Sequence, residues 1–215
     1  MGQTRVNQVL RRGRPVAGPQ VFIREYFAGS IMAKLEAMEN LGPQIEEAAG
    51  LVASAMAKGK KLLLFGNGGR AADAQHIAAE LVGRLYKVER RGLPALALTT
   101  DSSAFSSIAN DYGFDQVFSR QLEALAQKGD VVMGISTSGN SPNVLKGVAL
   151  AKKMGCATIG LSGNGGGKLA RLAGLSLSVN GQTSHVQEAH IAIGHAICFL
   201  VERELLEKRV IKERK

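Results

Sequence analysis

Cysteine is scarce in this chain, with two thiols among 215 residues, Cys156 and Cys198, and no CxxC spacing. Both sit within apolar patterns, which suits reduced, buried thiols in a cytoplasmic protein better than a disulfide framework. Long apolar runs are also missing. No run near the N-terminus has the length of a signal-peptide core, and none approaches the roughly 20 residues of a membrane span. A soluble protein without a membrane partner is expected. Acids are lacking at the ends: residues 1–18 hold four arginines and no acid, and residues 203–215 hold six bases against three acids. Of the formal charge of +9, the two ends therefore carry +4 and +3 and everything between them +2. Basic ends of this kind are usually solvated tails, and the first 60 residues contain no helix-turn-helix with a basic recognition helix. No nucleic-acid partner is expected.

The length suits one well-buried core, and hydrophobic residues make up 45% of the chain. Residues 1–19 show no periodicity and carry Gly13, Pro15, Gly18 and Pro19, so they read as a basic flexible tail. From Val21, an apolar stripe of Ile23, Phe27, Ile31, Leu35 and Met38 predicts one helix. Gly42 and Pro43 predict a break and a second helix, with Ile45, Ala48, Ala49, Val52, Ala55 and Met56 facing inward. This helical pair over 20–58 precedes any strand and is expected to pack against the sheet or a sister subunit. Over 60–208, short apolar strands alternate with amphipathic helices. The strands are read at 60–65, 95–98, 131–135, 158–161 and 175–179, and the last helix over 185–208. That alternation predicts an α/β fold, a doubly wound five-stranded parallel sheet covered on both faces, in a single domain over 20–208. A basic C-terminal tail is expected over 209–215.

Ligands of such sheets bind outside the carboxyl ends of the strands, where the glycine- and serine-rich loops fall. Val131 to Asn143, VVMGISTSGNSPN, reads as strand, tight loop and helix start, with Ser141 as N-cap and Pro142 in the first helical position. Free N–H groups at the helix start and the hydroxyls of Ser136, Thr137, Ser138 and Ser141 suit a phosphate. The loop Gly66, Asn67, Gly68, Gly69 also follows a buried strand; it is either a ligand loop or a tight turn. It lacks the lysine and Ser/Thr pair of a Walker loop and is not a complete GxGxxG fingerprint.

His76 and Glu80 lie about 40° apart on one helical face. Their neighbours are apolar, so Glu80 is either a buried carboxylate paired with arginine or a general base or metal ligand. The last helix carries His185, Gln187, Glu188, His190 and His195. Gln187 and His195 are about 80° apart there and His190 and His195 about 140°, which disfavours one site for the two later histidines and leaves Gln187 with either. Asn110 and Asp111 end a helix, as a cap and turn or as contacts to sugar hydroxyls.

The segments GNGG-x-AADAQHIAAEL, GLPALALTTD, IANDYGFDQVFSRQ, GDVVMGISTSGNSPNVLK and QEAHIAIGH together resemble the sedoheptulose-7-phosphate isomerases of the sugar isomerase (SIS) domain proteins, over about 60–206. The resemblance implies a flavodoxin-like SIS domain and conversion of sedoheptulose 7-phosphate to D-glycero-D-manno-heptose 7-phosphate, the entry to heptose synthesis for lipopolysaccharide or related glycans. It implies that Ser136, Thr137, Ser138 and Ser141 hold phosphate and that Asn67, Gly68, Gly69, Asn110 and Asp111 contact substrate, together with Glu80 and Gln187. It places His76, Glu80, Gln187 and His195 on zinc-binding positions, with one Zn2+ per subunit. Glu80 and His195 are implied as the acid–base pair, and a homotetramer with intersubunit active sites as the assembly. Arg70 departs from the serine common in the family. Relatives that bind the replication initiator without chemistry lack a glutamate at the position of Glu80 and the last histidine; sugar-phosphate-sensing regulators carry an attached DNA-binding region.

Overall fold

The computed structural model describes residues 18–85 and 89–213, so the expected N-terminal tail lies, up to residue 17, outside the described residues. The elements follow in the order α1 (Pro19–Ala57), β1 (Leu62–Gly66), α2 (Gly69–Val82), β2 (Ala95–Ala97), α3 (Ser102–Tyr112), a 3-10 turn (Phe114–Gln116) and α4 (Ser119–Leu125). Then come β3 (Val131–Ser136), α5 (Pro142–Lys153), β4 (Ala157–Gly163), α6 (Gly167–Leu172), β5 (Leu175–Val179) and α7 (Thr183–Glu207). All five strands are parallel, in the order β2-β1-β3-β4-β5. This is the expected doubly wound sheet, and its direction of growth reverses between β1 and β3.

Alternation along the strands builds two cores. Leu62, Leu64, Val131, Met133 and Ile135 face α1, α2 and α7, while Leu63, Phe65 and Val132 face the layer of α4, α5 and α6. Because successive side chains point to opposite faces, the continuous apolar runs of β1 and β3 fill both layers. Cys156 and Cys198 are free and buried, as expected. Burial pushes the Cys198 thiol up to about 12, which removes its thiolate reactivity. Among the described residues no helix is long and apolar enough to cross a membrane.

The N-terminal pair of helices is a single helix. Pro43 lies inside α1 rather than starting a new one. A proline in a helix interior costs about 3 kcal/mol, chiefly through a lost hydrogen bond and a clash with the preceding turn. Here Gly42 and Pro43 are exposed, so the carbonyl freed by the missing N–H faces water. Leu41 and Ile45 pack on the core on either side, and that burial carries the helix through. The second half buries the expected face, with Ala48, Ala49, Val52, Ala55 and Met56 inside. In the first half the inner face is instead the small residues Ser30, Ala33 and Ala37, while Ile23, Phe27, Ile31, Leu35 and Met38 lie exposed. Apolar spacing identified a stripe there, but not what it faces.

Glu188 of α7 fastens this first half. Ser30 Oγ donates to its Oε2, as does Lys34 Nζ at 3.1 Å, and Tyr26 Oη donates to Oε1 at 3.0 Å. The Ser30 hydrogen bond, then those of Lys34 and Tyr26, hold the carboxyl below its ordinary value of 4.5 against partial burial. The expected C-terminal tail is also partly tied down. The amides of Val210 and Ile211 donate to Leu205 O, and Ile211 is buried in the core.

Arg90 and Glu202 form an ion pair inside the protein, with side chains 1% and 6% exposed. The guanidinium also donates to the carbonyls of Glu80, Leu81 and Gly83, satisfying the open end of α2. Glu202→Ala leaves that cation buried and unpaired, so a loss of about 3–5 kcal/mol is expected in urea unfolding. A loss below about 1 kcal/mol would show that the pair is not insulated from water. A folded-state pKa that is depressed adds stability above the unfolded value and loses it as pH falls through the folded one. Thermal melts of the wild-type protein and Glu188→Gln are therefore expected to differ by a steady amount from pH 6 down to about pH 4.5, the ordinary value Glu188 departs from, and to converge only as pH falls further, through the depressed folded-state value. A gap that stays constant as pH falls well below 4.5 would remove Glu188 from the fastening.

Candidate functional site

The first half of the site is a ring of hydroxyls where β3 ends. Ser136 is buried, and its Oγ lies 2.9 Å from Ser141 Oγ and 3.4 Å from Ser138 Oγ. Ser141 is the N-cap residue of α5, as expected, but its hydroxyl turns to Ser136 instead of capping the helix. The hydroxyls thus converge on one another beside a helix N-terminus, an arrangement that suits an anion with several oxygens. Thr137 holds the loop through its carbonyl, which accepts from the amide of Gly163 at 3.0 Å.

The glycine-rich stretch after β4 supports this loop. Leu169 N donates to Gly139 O at 2.9 Å, Lys168 N to Asn140 Oδ1 at 3.2 Å, and Asn140 Nδ2 to Ser138 O at 2.8 Å. A Cβ on Gly139 would lie 1.9 Å from Gly166 O, so only glycine permits the two turns to touch.

At the end of β1, the loop Asn67–Gly69 opens α2. Asn67 and Asn143 exchange side-chain amide hydrogen bonds: Asn67 Nδ2 donates to Asn143 Oδ1 at 2.9 Å, and Asn143 Nδ2 to Asn67 Oδ1 at 2.8 Å. Asn143 was not singled out from sequence, where it reads as an ordinary residue in a helical first turn. Arg70, in the first turn of α2, is buried and bound to Asp73 at 2.8 Å. Its guanidinium also faces the side-chain amide of Gln187, whose oxygen accepts from it when the amide is turned towards Arg70.

Farther along α2, His76 Nε2 lies 3.2 Å from Glu80 Oε1 and 2.8 Å from His195 Nε2 of α7. Ligating atoms of His76, Glu80 and His195 all lie within 4.8 Å of one another. Tetrahedral zinc, with bonds of about 2.0–2.2 Å to nitrogen and oxygen, spaces its donors roughly 3.4 Å apart. The three side chains therefore fit such an ion with small adjustments, and two histidines with a carboxylate are a donor set zinc accepts. The neighbours of this trio are less enclosing than their apolar sequence suggests, since the His76 side chain is 48% exposed. Among the described residues Glu80 has no arginine side chain as partner; Arg90 donates to its backbone carbonyl.

The last helix sorts its polar residues by height. Gln187 lies beside Gly69 and Arg70, about 12 Å along the helix axis from His195. His190 points elsewhere: its Nε2 donates to Ser162 O at 2.9 Å, and its buried Nδ1 has no partner among the described residues. Burial, aided by the Arg70 charge, pushes its pKa below the ordinary imidazole value and keeps it neutral, against the smaller pull of the Ser162 bond. His185 is buried against Tyr26, with ring centroids 4.7 Å apart. Asn110 Nδ2 donates to Asp111 Oδ1 at 2.8 Å in the last turn of α3, both residues being exposed.

Comparison with known proteins agrees with this geometry. The SIS domain family model matches residues 25–163. A phosphoheptose isomerase of Aquifex aeolicus is 50% identical over 187 residues, which is 86% of this chain and 97% of that protein. The solved phosphoheptose isomerase of Neisseria gonorrhoeae aligns with TM-score 0.81 and 44% identity over 86% of this chain and 98% of its own. That of Francisella tularensis aligns with TM-score 0.84 and 34% identity over 87% and 100%. With the fold and the matches covering most of both partners, the chain belongs to the SIS domain family and, within it, to the phosphoheptose isomerases.

Proposed function

We propose that the chain interconverts sedoheptulose 7-phosphate and D-glycero-D-manno-heptose 7-phosphate through an enediol, the first step towards nucleotide-activated heptose. The observation that carries this mechanism is the convergence of His76, Glu80 and His195 from two helices. The hydroxyls of Ser136, Ser138 and Ser141, with Thr137, hold the phosphate at the end of the sugar that does not react, so binding there supplies orientation. Asn67, Gly68, Gly69, Asn110, Asp111 and Gln187 contact the sugar in this assignment.

Starting from the ketose, Glu80 removes the C1 proton while His195 protonates the oxygen on C2, giving the enediol. Glu80 then returns the proton to C2 as the hydroxyl on C1 gives its proton back to His195 and becomes the aldehyde. No net proton is gained or lost. His76, Glu80 and His195 are the residues of one chain that would hold zinc; Gln187 of the same chain lies about 12 Å along α7 from His195, so a fourth ligand from Gln187 would have to come from a neighbouring subunit. When bound, the ion would polarise the substrate oxygens as a Lewis acid.

We also assign a cytoplasmic homotetramer whose active sites lie between subunits. Two features support shared sites. Ile23, Phe27, Ile31, Met32, Leu35 and Met38 leave an apolar face of α1 exposed, more than a lone subunit ordinarily leaves in one stretch. Glu80 also lies about 16 Å along α2 from Gly69, too far for one sugar phosphate to join the serine loop and the carboxylate of the same chain.

Glu80→Gln is expected to fold and to bind sugar phosphate while turnover falls roughly a hundredfold or more, measured by aldose formation from sedoheptulose 7-phosphate. Retained turnover would take Glu80 out of the mechanism. His76→Ala should weaken zinc binding at least tenfold in competition with a chromophoric chelator. An unchanged zinc affinity would move the metal away from this trio, whatever the enzyme's activity.

A further inference from the structure

The two ligand loops begin on opposite sides of the sheet. β1 leads into α2, which packs in the layer with α1 and α7, whereas β3 leads into α5, which packs in the layer with α4 and α6. The strands themselves are neighbours, with Gly66 opposite Ile135 at their carboxyl ends. A Cβ on Gly66 would lie 2.8 Å from Ile135 O, so the two backbones separate from close contact. Beyond that point the sheet no longer ties them together.

Asn67 and Asn143 meet there. Each amide gives one donor and one acceptor to the other, at 2.9 and 2.8 Å. Asn143 Oδ1 also accepts from the backbone of Val144 at 2.9 Å, which anchors its amide to the first turn of α5. Asn143 is only 2% exposed. An amide pair of this kind fixes distance and angle together, because both members are planar and both bonds must form at once. Asn67 thereby has its oxygen and one of its N–H groups committed before any ligand arrives.

We infer that Asn143 is a positioning residue for the isomerase reaction, and that Asn67 acts chiefly by clasping it, so that the Asn67–Asn143 amide pair sets the spacing between the phosphate loop and the Asn67–Gly69 loop. The inference rests on the proposed placement of phosphate at Ser136–Ser141 and of sugar at Asn67–Gly69. Inorganic phosphate occupies only the first loop and does not sense the spacing. A sugar phosphate touches both loops and does. A residue that merely supports the serine loop would affect the two ligands alike.

The test is a double-mutant cycle of Asn67→Ala and Asn143→Ala in the full chain. It reads kcat/KM for sedoheptulose 7-phosphate and the Kd of inorganic phosphate, with cooperative melting as the check on folding. Each single variant is expected to lose about tenfold or more in kcat/KM, the double variant to lose no more than either, and phosphate Kd to stay within about twofold. Losses that multiply, or a loss confined to Asn67→Ala, would show that Asn67 acts chiefly through its own contact with substrate and not through Asn143, and overturn the inference. A parallel loss of phosphate affinity would reduce Asn143 to a support of the serine loop and also overturn it.

Should Asn143→Ala not melt cooperatively, Asn143→Asp takes its place. The carboxylate keeps an acceptor for Val144 N and one for Asn67 Nδ2 but has no donor for Asn67 Oδ1. Loss of kcat/KM with phosphate Kd preserved supports the clasp; full kcat/KM, or equal losses in both, overturns it. Turnover by the wild-type protein is measured beside these variants. Its absence would overturn the proposed reaction, whereas normal wild-type turnover with unaffected variants overturns only the clasp.

Discussion

The pairing of β1 with β3 is the constraint on which the rest of the site depends. In a right-handed doubly wound sheet, helices following these two strands must leave on opposite faces, because the order of strands reverses between them. Their N-termini therefore open side by side above one crevice, and free N–H groups, glycine turns and hydroxyls collect there. Leu62 to Gly66 against Val131 to Ile135 supplies an uninterrupted five-residue register that holds the crevice at one width. The hydroxyl ring, the amide pair and the turn after β4 all build upward from that edge.

A second level of organisation runs down the helices. α2 and α7 both descend from the ligand edge against the same core, so residues at equal depth on their facing sides meet. Arg70 and Gln187 meet near the top, and His76, Glu80 and His195 meet lower down. Arg90 closes the bottom of α2 through the buried Glu202 of α7. One helix pair therefore carries the polar contacts of the loops, a metal-type cluster and a structural ion pair at three separate depths. The first half of α1 joins the same helix α7 through Glu188 and turns its large apolar residues outward.

Much of this was legible before any coordinates. Strand positions followed from short apolar runs, and their boundaries agree within about two residues because buried parallel strands admit few polar residues. The serine loop was legible because strand, small residues and Ser-Pro helix start form a local pattern. The helical geometry of α7 separated His190 from His195, and the structure sends the first to Ser162 and the second to His76. Pro43 misled because a proline's effect depends on whether the carbonyl it abandons is wet, and on how firmly both flanks are packed. Asn143 was invisible because its partner lies 76 residues away, and a single asparagine in a helical turn has no periodic signature.

The sequence by itself determined the layers, the strands, the phosphate-type loop and the kinds of side chain available for acid–base and metal chemistry. These follow from local spacing, which the backbone geometry of helices and strands converts directly into faces and ends. Only the tertiary structure decided which polar groups are neighbours: His195 with His76, Gln187 with Arg70, and Asn67 with Asn143. Such pairings depend on the depth at which separate helices pack on a common sheet, and that depth is set by the summed fit of two cores instead of by any one stretch of chain.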